Sequence, residues 1–335
     1  MNRQYNENTL IRKVGADILS NRANALCVLK ILQEYSDEKH ILPMREIIEH
    51  LQKNYDIKMD RRTVYSTVEL LQYLGYDVSD YEENGQGYYL RSRILEPSEL
   101  RILTDAVYSF PFISAEQSKK LIDKLQRVES AHHRKKYRHL SVIRQGRKTE
   151  NKQVFLNIEL LDEAIEQKKK VSFTYLSYDE KLKLVPRRAK PYIVDPLGMT
   201  YTNEHYYLVC TLTGCENTSL YRIDRMRGLS VLDELAQQTD ADAATVAENA
   251  VYAFVGALEE ITFSFDKGIL NDVVDRFGTA IRLSDGGERY VAKVTASPRG
   301  VKFWALQYLP YVEVTEPEWL REEIVESVRK SPYGQ

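Results

Sequence analysis

Residues 201–227 read YTNEHYYLVCTLTGCENTSLYRIDRMR, and the reading of the whole chain starts from this stretch. β-Branched and aromatic residues on either side of a break containing Gly214 predict two strands, Tyr206–Leu212 and Ser219–Asp224. The first strand carries Tyr206 and Tyr207; the second ends in Arg222, Asp224 and Arg225. A half-buried sheet holds two arginines at one end either as solvated surface charges or as a site for an anion, and spacing alone leaves both readings open.

The run Tyr206-Tyr207-Leu208, followed by Tyr221-Arg222-Ile223-Asp224-Arg225, resembles the signature of WYL-domain proteins, a family named for a Trp-Tyr-Leu run. Tyr206 stands where that run has Trp, and Asp195-Pro196-Leu197-Gly198-Met199 resembles the proline-containing lead-in to it. The resemblance implies a small, strongly bent sheet resembling an Sm-like barrel, carried by bacterial transcription regulators and binding a nucleotide or nucleic-acid-like anion. It also implies a ligand site. Arg222 and Arg225 would clamp the anion through their planar guanidinium forks, with His205 as a neighbouring donor and Tyr207 beside them. Tyr175 and Ser177, in Phe173-Thr174-Tyr175-Leu176-Ser177, resemble the polar residues the family contributes from its first strand. Each residue also has a plainer reading: Asp224 pairing with Arg222 or Arg225, Tyr175 in the core, His205 at a hairpin edge.

With 335 residues, 43% of them hydrophobic, the chain has material for about two or three domains. A net charge of −2 gives no global positive field, so any nucleic-acid contact must come from local patches. Cys27, Cys210 and Cys215 form no CxxC pair, which suits a reducing cytoplasm and argues against a metal site. The polar start and the absence of a long apolar run predict a soluble, cytoplasmic protein with no membrane span.

Arg22–Arg93 predicts three helices and a hairpin. Leu26, Leu29, Ile31 and Leu32 recur at helical spacing, and Pro43 opens a helix with Ile47, Ile48 and Leu51. A third helix follows Asp60 as N-cap, with Val64, Val68, Leu71 and Leu74 on one stripe, and stops at Gly75. Tyr76–Tyr81 and Gly87–Arg93 then flank Asn84-Gly85, a tight-turn signal. This is the winged helix-turn-helix order, whose third helix enters the DNA major groove. Its outward residues Arg61, Arg62, Thr63, Tyr65 and Ser66, with Arg91 on the far strand of the wing, are the candidate DNA contacts. Arg61-Arg62-Thr63-Val64-Tyr65 also resembles a run common in WYL-linked regulators, with Ser66 where that run often has Arg. The charge count supports a helical protein-interaction domain as the alternative, since His40–Leu95 holds seven basic residues against nine acidic ones, but the basic residues cluster at the start of the third helix and on the far strand of the wing.

Leu95–Leu140 predicts two helices, one from Pro97-Ser98 with Leu100 and Leu103 and one over Ala115–Val128 with Leu121, Ile122 and Leu125, serving as spacer and dimerisation surface. Arg127–Lys152 carries nine basic residues against Glu129 and Glu150, as a solvated linker or a contact to phosphate or an acidic partner. A short helix around Ile158–Lys169 precedes a strand at Val171–Tyr175, and Leu184–Tyr192 is cation-rich and extended. Leu232–Ala250 predicts an Ala/Asp-rich linker. The rest, a strand at Glu260–Phe265, a helix with Val273, Val274 and Phe277, strands through Val291–Thr295 and a last helix with Leu320, Ile324 and Val328, has a ferredoxin-like order. Asp275-Arg276-Phe277-Gly278 resembles a segment of the C-terminal extension of many WYL proteins.

The expectation is thus an α+β multidomain chain: a winged helix-turn-helix at 1–95, a helical spacer and basic linker at 96–157, a WYL domain at 158–235 and a ferredoxin-like extension at 250–335. It implies a homodimeric transcriptional regulator, with repression the leading expectation, on a pseudo-palindromic double-stranded DNA operator. Its ligand would be a nucleotide or single-stranded nucleic acid, and no cofactor is expected. The alternative is an accessory protein of defence or repair machinery that binds nucleic acid directly through the WYL cleft. An enzyme finds no support, because GxSxG, P-loop and HExxH patterns are all absent.

Overall fold

The structure is a computed structural model that describes residues 21–134, 148–212, 218–237 and 258–332. Most of the basic run, the Gly214 and Cys215 turn, and the Ala/Asp-rich stretch from 238 onward lie outside the described residues. The chain divides into two compact units, 1–109 with 115–145 and 110–114 with 146–335.

In the first unit, α1 (Asn21–Tyr35), α2 (Met44–Tyr55) and α3 (Arg61–Tyr73) pack around Val28, Ile31, Leu32, Ile47, Leu51, Val64, Val68 and Leu71. Full burial of each such side chain is worth roughly 1.5–3 kcal/mol. Pro43 precedes α2, and Asp60 caps α3, its carboxylate accepting from the Thr63 amide at 2.9 Å. Leu26 and Leu74, placed by spacing on the apolar stripes, are exposed. Leu74 already lies at the α3 C-cap, where Gly75 turns the chain with φ 91°.

The wing differs from the expected hairpin. Only single bridges, Val78 to Leu90 and Leu42 to Tyr88, pair the backbone, and Tyr81–Asn84 forms a one-turn helix, α4. Asp80 leads into two glutamates that favour a helix start, and Gly85 in the left-handed region closes the turn. Asn84 then accepts from the Gln86 and Gly87 amides, holding the return of the chain. Gly87 itself lies against α2's lead-in, where an added Cβ would meet the Leu42 carbonyl at 2.1 Å.

Helices α5 (Pro97–Ser109) and α6 (Ala115–Gln126) follow, burying Leu100, Val107 and Ile122, while Leu103 is exposed. A short α7 (Ala131–Arg134) closes the unit against the end of α1. The joint is polar and buried. Asp37 accepts from His40 Nδ1 at 2.7 Å and Ser130 Oγ at 2.8 Å, and His133 Nδ1 reaches Glu129 at 2.9 Å. Arg93 donates to the carbonyls of Gln33 and Ser36.

The second unit contains two sheets. Helix α8 (Val154–Glu166) packs on the first of them; it ends before the lysines placed at its C-terminus, because Lys168 turns left-handed and Lys169 opens β1. The strands are β1 (Lys169–Tyr178), β2 (Leu184–Pro186), β3 (Tyr192–Thr202), β4 (His205–Leu212), β5 (Thr218–Arg222) and β6 (Met226–Leu235). Their order is β2-β1-β3-β4-β5, with β6 also pairing β1. Val171 pairs with both Val194 and Val231, so β1 is the spine around which the small sheet bends. Sequence reading missed β3 as a full strand. Pro196, which has no amide hydrogen, sits at its register shift, and Asn203 and Glu204, both at positive φ, form the two-residue turn to β4. The strand expected over Ser219–Asp224 ends at Arg222, its last two residues belonging to a 3-10 turn at Ile223–Arg225, and β6 carries the sheet to Leu235, beyond the start expected for the linker.

The second sheet comprises β7 (Glu259–Asp266), α9 (Leu270–Phe277), β8 (Arg282–Asp285), β9 (Arg289–Ala296), α10 (Pro298–Gln307), β10 (Val312–Glu316) and α11 (Glu318–Arg329). The antiparallel order β10-β7-β9-β8 is the ferredoxin-like arrangement with a helix added at the end; α10 and β10 complete a motif that sequence had left short. Ile261, Phe263 and Phe265 alternate inward from β7 onto Trp304, Val273 and Leu320.

Candidate ligand and nucleic-acid sites

The first site forms where β4, β5 and the 3-10 turn meet. Arg222 pairs across the ladder with Tyr207, and its backbone amide donates to the Tyr175 hydroxyl at 3.3 Å. Its guanidinium is committed: Nε donates to Asp224 Oδ1 at 3.0 Å and Nη2 to Oδ2 at 2.7 Å. Asp224 is 4% exposed, so this is an oriented, largely buried pair rather than two solvated charges. The remaining N–H groups of the fork stay available to another acceptor. Arg225 lies over the Tyr178 ring at 5.6 Å and has no carboxylate within ion-pair distance among the described residues.

Tyr175 is a core residue that also touches the candidate site. It is buried with Phe173, Tyr192 and Tyr221, rings 5.0–6.4 Å apart, and yet its hydroxyl reaches the Arg222 backbone. Burial pushes the phenols of Tyr175 and Tyr207 up, with the two arginines opposing, so both remain neutral donors at neutral pH. Strand alternation puts Ser177, half-buried opposite Val185, on the same side of β1 as Tyr175.

His205 differs from the donor role expected for it. Its Nδ1 lies 2.8 Å from the Asn203 carbonyl, which only accepts, so Nδ1 carries the hydrogen and Nε2 of the neutral ring is an acceptor. Burial, and then the Arg222 charge, lower its pKa. It becomes a cationic donor only in acid.

Sequence reading passed over the supports of this site. Asn151 Nδ2 donates to the carbonyls of Asp224 at 2.9 Å and Met226 at 3.0 Å, and Asn157 Nδ2 to that of Met226 at 3.2 Å. Asn157 had a signal: it is a polar residue on the buried stripe of α8 between Val154 and Leu161. Asn151 had none. Cys210 is buried in β4, and burial pushes its thiol well up, which disfavours a reactive thiolate.

The second site is the outward face of α3. Arg61, Arg62, Tyr65 and Ser66 are exposed. Thr63 is half-buried, its hydroxyl donating to Asp60 at 3.0 Å, and Ser66 Oγ donates to the Thr63 carbonyl. Arg91 stands apart from this set. It bridges Asp77 at 2.7 Å and Glu83, so two carboxylates neutralise it. Among the described residues no His, Cys, Asp and Glu group is arranged to hold a metal ion, and no helix is long and apolar enough to cross a membrane.

The chain carries a WYL domain at residues 157–231 and a WCX domain at residues 257–331, which coincide with the bent sheet and the ferredoxin-like sheet. Comparison with curated proteins gave no match. Among solved structures the chain is similar to proteasome accessory factor B/C (PafBC) of Arthrobacter aurescens, at 18% identity and a TM-score of 0.26 over 92% of this chain. It spans only 46% of that longer chain. It is also similar to a CRISPR Cas-related protein, at 13% identity and a TM-score of 0.37, covering 96% of this chain and 87% of the other.

Proposed function

We propose that the chain is a cytoplasmic DNA-binding transcriptional regulator whose WYL sheet senses a phosphate-bearing ligand, either a nucleotide or a single-stranded nucleic acid. One observation carries this reading: Tyr175, His205, Tyr207 and Arg225 gather about a guanidinium that a buried carboxylate already orients. An oriented fork holds phosphate without first losing side-chain freedom, and the half-buried Tyr207 beside it offers a ring on which a base stacks.

The α3 face supplies the other half. Its two arginines begin a capped helix, where the helix N-terminus also favours phosphate, and in proteins of the winged helix-turn-helix order the third helix is the one that enters the major groove, which supports this reading. One winged domain reads few base pairs, so a two-fold dimer on a pseudo-palindromic operator follows. No catalytic step is assigned to the chain.

The test is sequencing of genomic fragments retained by the purified protein, with and without nucleotides and short single strands. Enrichment of one pseudo-palindromic duplex site, altered by one of these ligands, is the expected result. Retention of single strands with no duplex preference would instead favour a nucleic-acid-binding accessory role, and retention of neither would overturn the proposal.

A further inference from the structure

Residues 110–114 join α5 to α6 in the first unit, yet they belong to the second. Phe112 and Ile113 are buried in the core of the WYL sheet. The Phe112 ring lies 5.8 Å from the rings of both Tyr201 and Tyr206, and Phe110 lies 5.3 Å from Tyr201. Tyr201 and Tyr206 pair across the β3–β4 hairpin, and Tyr206 sits between His205 and Tyr207 of the ligand site. The strap is therefore packed on the strand that carries the site.

A second connection runs through hydrogen bonds. The Phe110 carbonyl accepts from Lys148 Nζ at 2.8 Å, and the Pro111 carbonyl from the Thr149 amide at 2.7 Å. Two residues on, Asn151 donates to the carbonyls of Asp224, in the middle of the 3-10 turn bearing the Arg222–Asp224 pair, and of Met226, which follows that turn. A turn that shifts to seat an anion moves Asn151, and with it the strap. Such a link fits one element with two arrangements, both of its ends covalently continuous with helices of the DNA-binding unit.

We infer that the strap 110–114, tied down by residues 148–151, is the part through which occupancy of the WYL site reaches α5 and α6. The inference deepens the sensor reading and rests on it, so its test has an arm that needs no ligand. In the full chain, amide hydrogen exchange is followed at Thr149 and across residues 106–118. Arg222→Lys, which keeps the charge and loses the fork, is expected to speed exchange there about tenfold. In the Asn151→Ala background the same change should add less than about twofold, because the link is already cut. Unchanged exchange at 106–118 in Arg222→Lys, or full and independent effects in the double variant, would overturn the inference.

The second arm uses an oligodeoxythymidylate without terminal phosphate as probe, with calorimetry for its binding and operator affinity for the response. Phe110→Leu and Phe112→Leu, each checked for a native near-ultraviolet spectrum, are expected to bind the probe within about twofold of the parent and to lose most of the change in operator affinity. A full response in both variants would also overturn the inference. If the parent protein binds no probe, the choice of ligand class fails, and the exchange arm still decides the role of the strap.

Discussion

Arg222 and Asp224, two residues apart, form a two-pronged ion pair in which Nε and Nη2 of the guanidinium donate to the two carboxylate oxygens at 3.0 and 2.7 Å. The 3-10 turn at Ile223–Arg225 makes this possible by folding the buried carboxylate back under the end of β5. Arg225 follows in the same turn without such a commitment, so the two arginines have different work.

Their substitutions should separate accordingly. Arg222→Ala leaves Asp224 buried and unpaired, and is expected to cost about 2–4 kcal/mol of stability in addition to weakening anion binding. Arg225→Ala should change stability by less than about 0.5 kcal/mol while still reducing affinity for a phosphodiester probe. Denaturant titration beside calorimetry measures both. Equal stability losses in the two variants would show that Arg225 is structural as well.

On the α3 face, Arg62→Ala is expected to weaken specific duplex binding by about 1–3 kcal/mol, with a salt dependence typical of phosphate contacts. Arg91→Ala should weaken it far less, because Asp77 and Glu83 already occupy that guanidinium. Fluorescence anisotropy at matched ionic strength tests the pair. A larger loss for Arg91 would mean that the wing releases its carboxylates on DNA.

The joint between α1 and α7 predicts acid sensitivity. Burial alone would raise the pKa of Asp37, but hydrogen bonds from His40 and Ser130 outweigh it and hold the carboxyl down at about 2, against 3.8 for the free side chain. The unfolded chain therefore takes up this proton first as pH falls, so the contribution is complete above about 4 and is lost as pH falls toward about 2. Asp37→Asn should destabilise the protein by about 2 kcal/mol at pH 7 and flatten its stability profile across that acid window. An unchanged profile in the variant would place the acid response elsewhere.

His205 titrates with the opposite consequence for ligand. Its pKa is depressed below 6.5, so the folded protein keeps it neutral where the unfolded chain begins to protonate, and stability declines as pH falls below about 6.5. An anion bound beside it favours the imidazolium and draws a proton in. Affinity for a probe whose charge is constant should therefore rise, by up to about tenfold, between pH 7.5 and 5.5. His205→Ala should remove that rise. A pH-independent affinity in the parent protein would place the histidine outside the anion's reach.

What the sequence determined is local. Apolar spacing and the Asp60 cap define α3, a run of aromatic and β-branched residues defines β4, and the Tyr-Tyr-Leu and Arg-Ile-Asp-Arg runs mark the sheet that carries the candidate site. These features depend on backbone preferences over a few residues, which a single stretch expresses without help. The wing was only half legible, because the turn preference of Asn84-Gly85 is satisfied as well by a one-turn helix as by a hairpin. Tertiary structure decided the rest. That Arg91 is neutralised, that Asn151 supports a turn 73 residues away, and that Phe112 lies in the WYL core follow from which surfaces pack together. A polar side chain in a buried setting takes whatever partner the fold brings within reach, and its sequence neighbours do not name that partner.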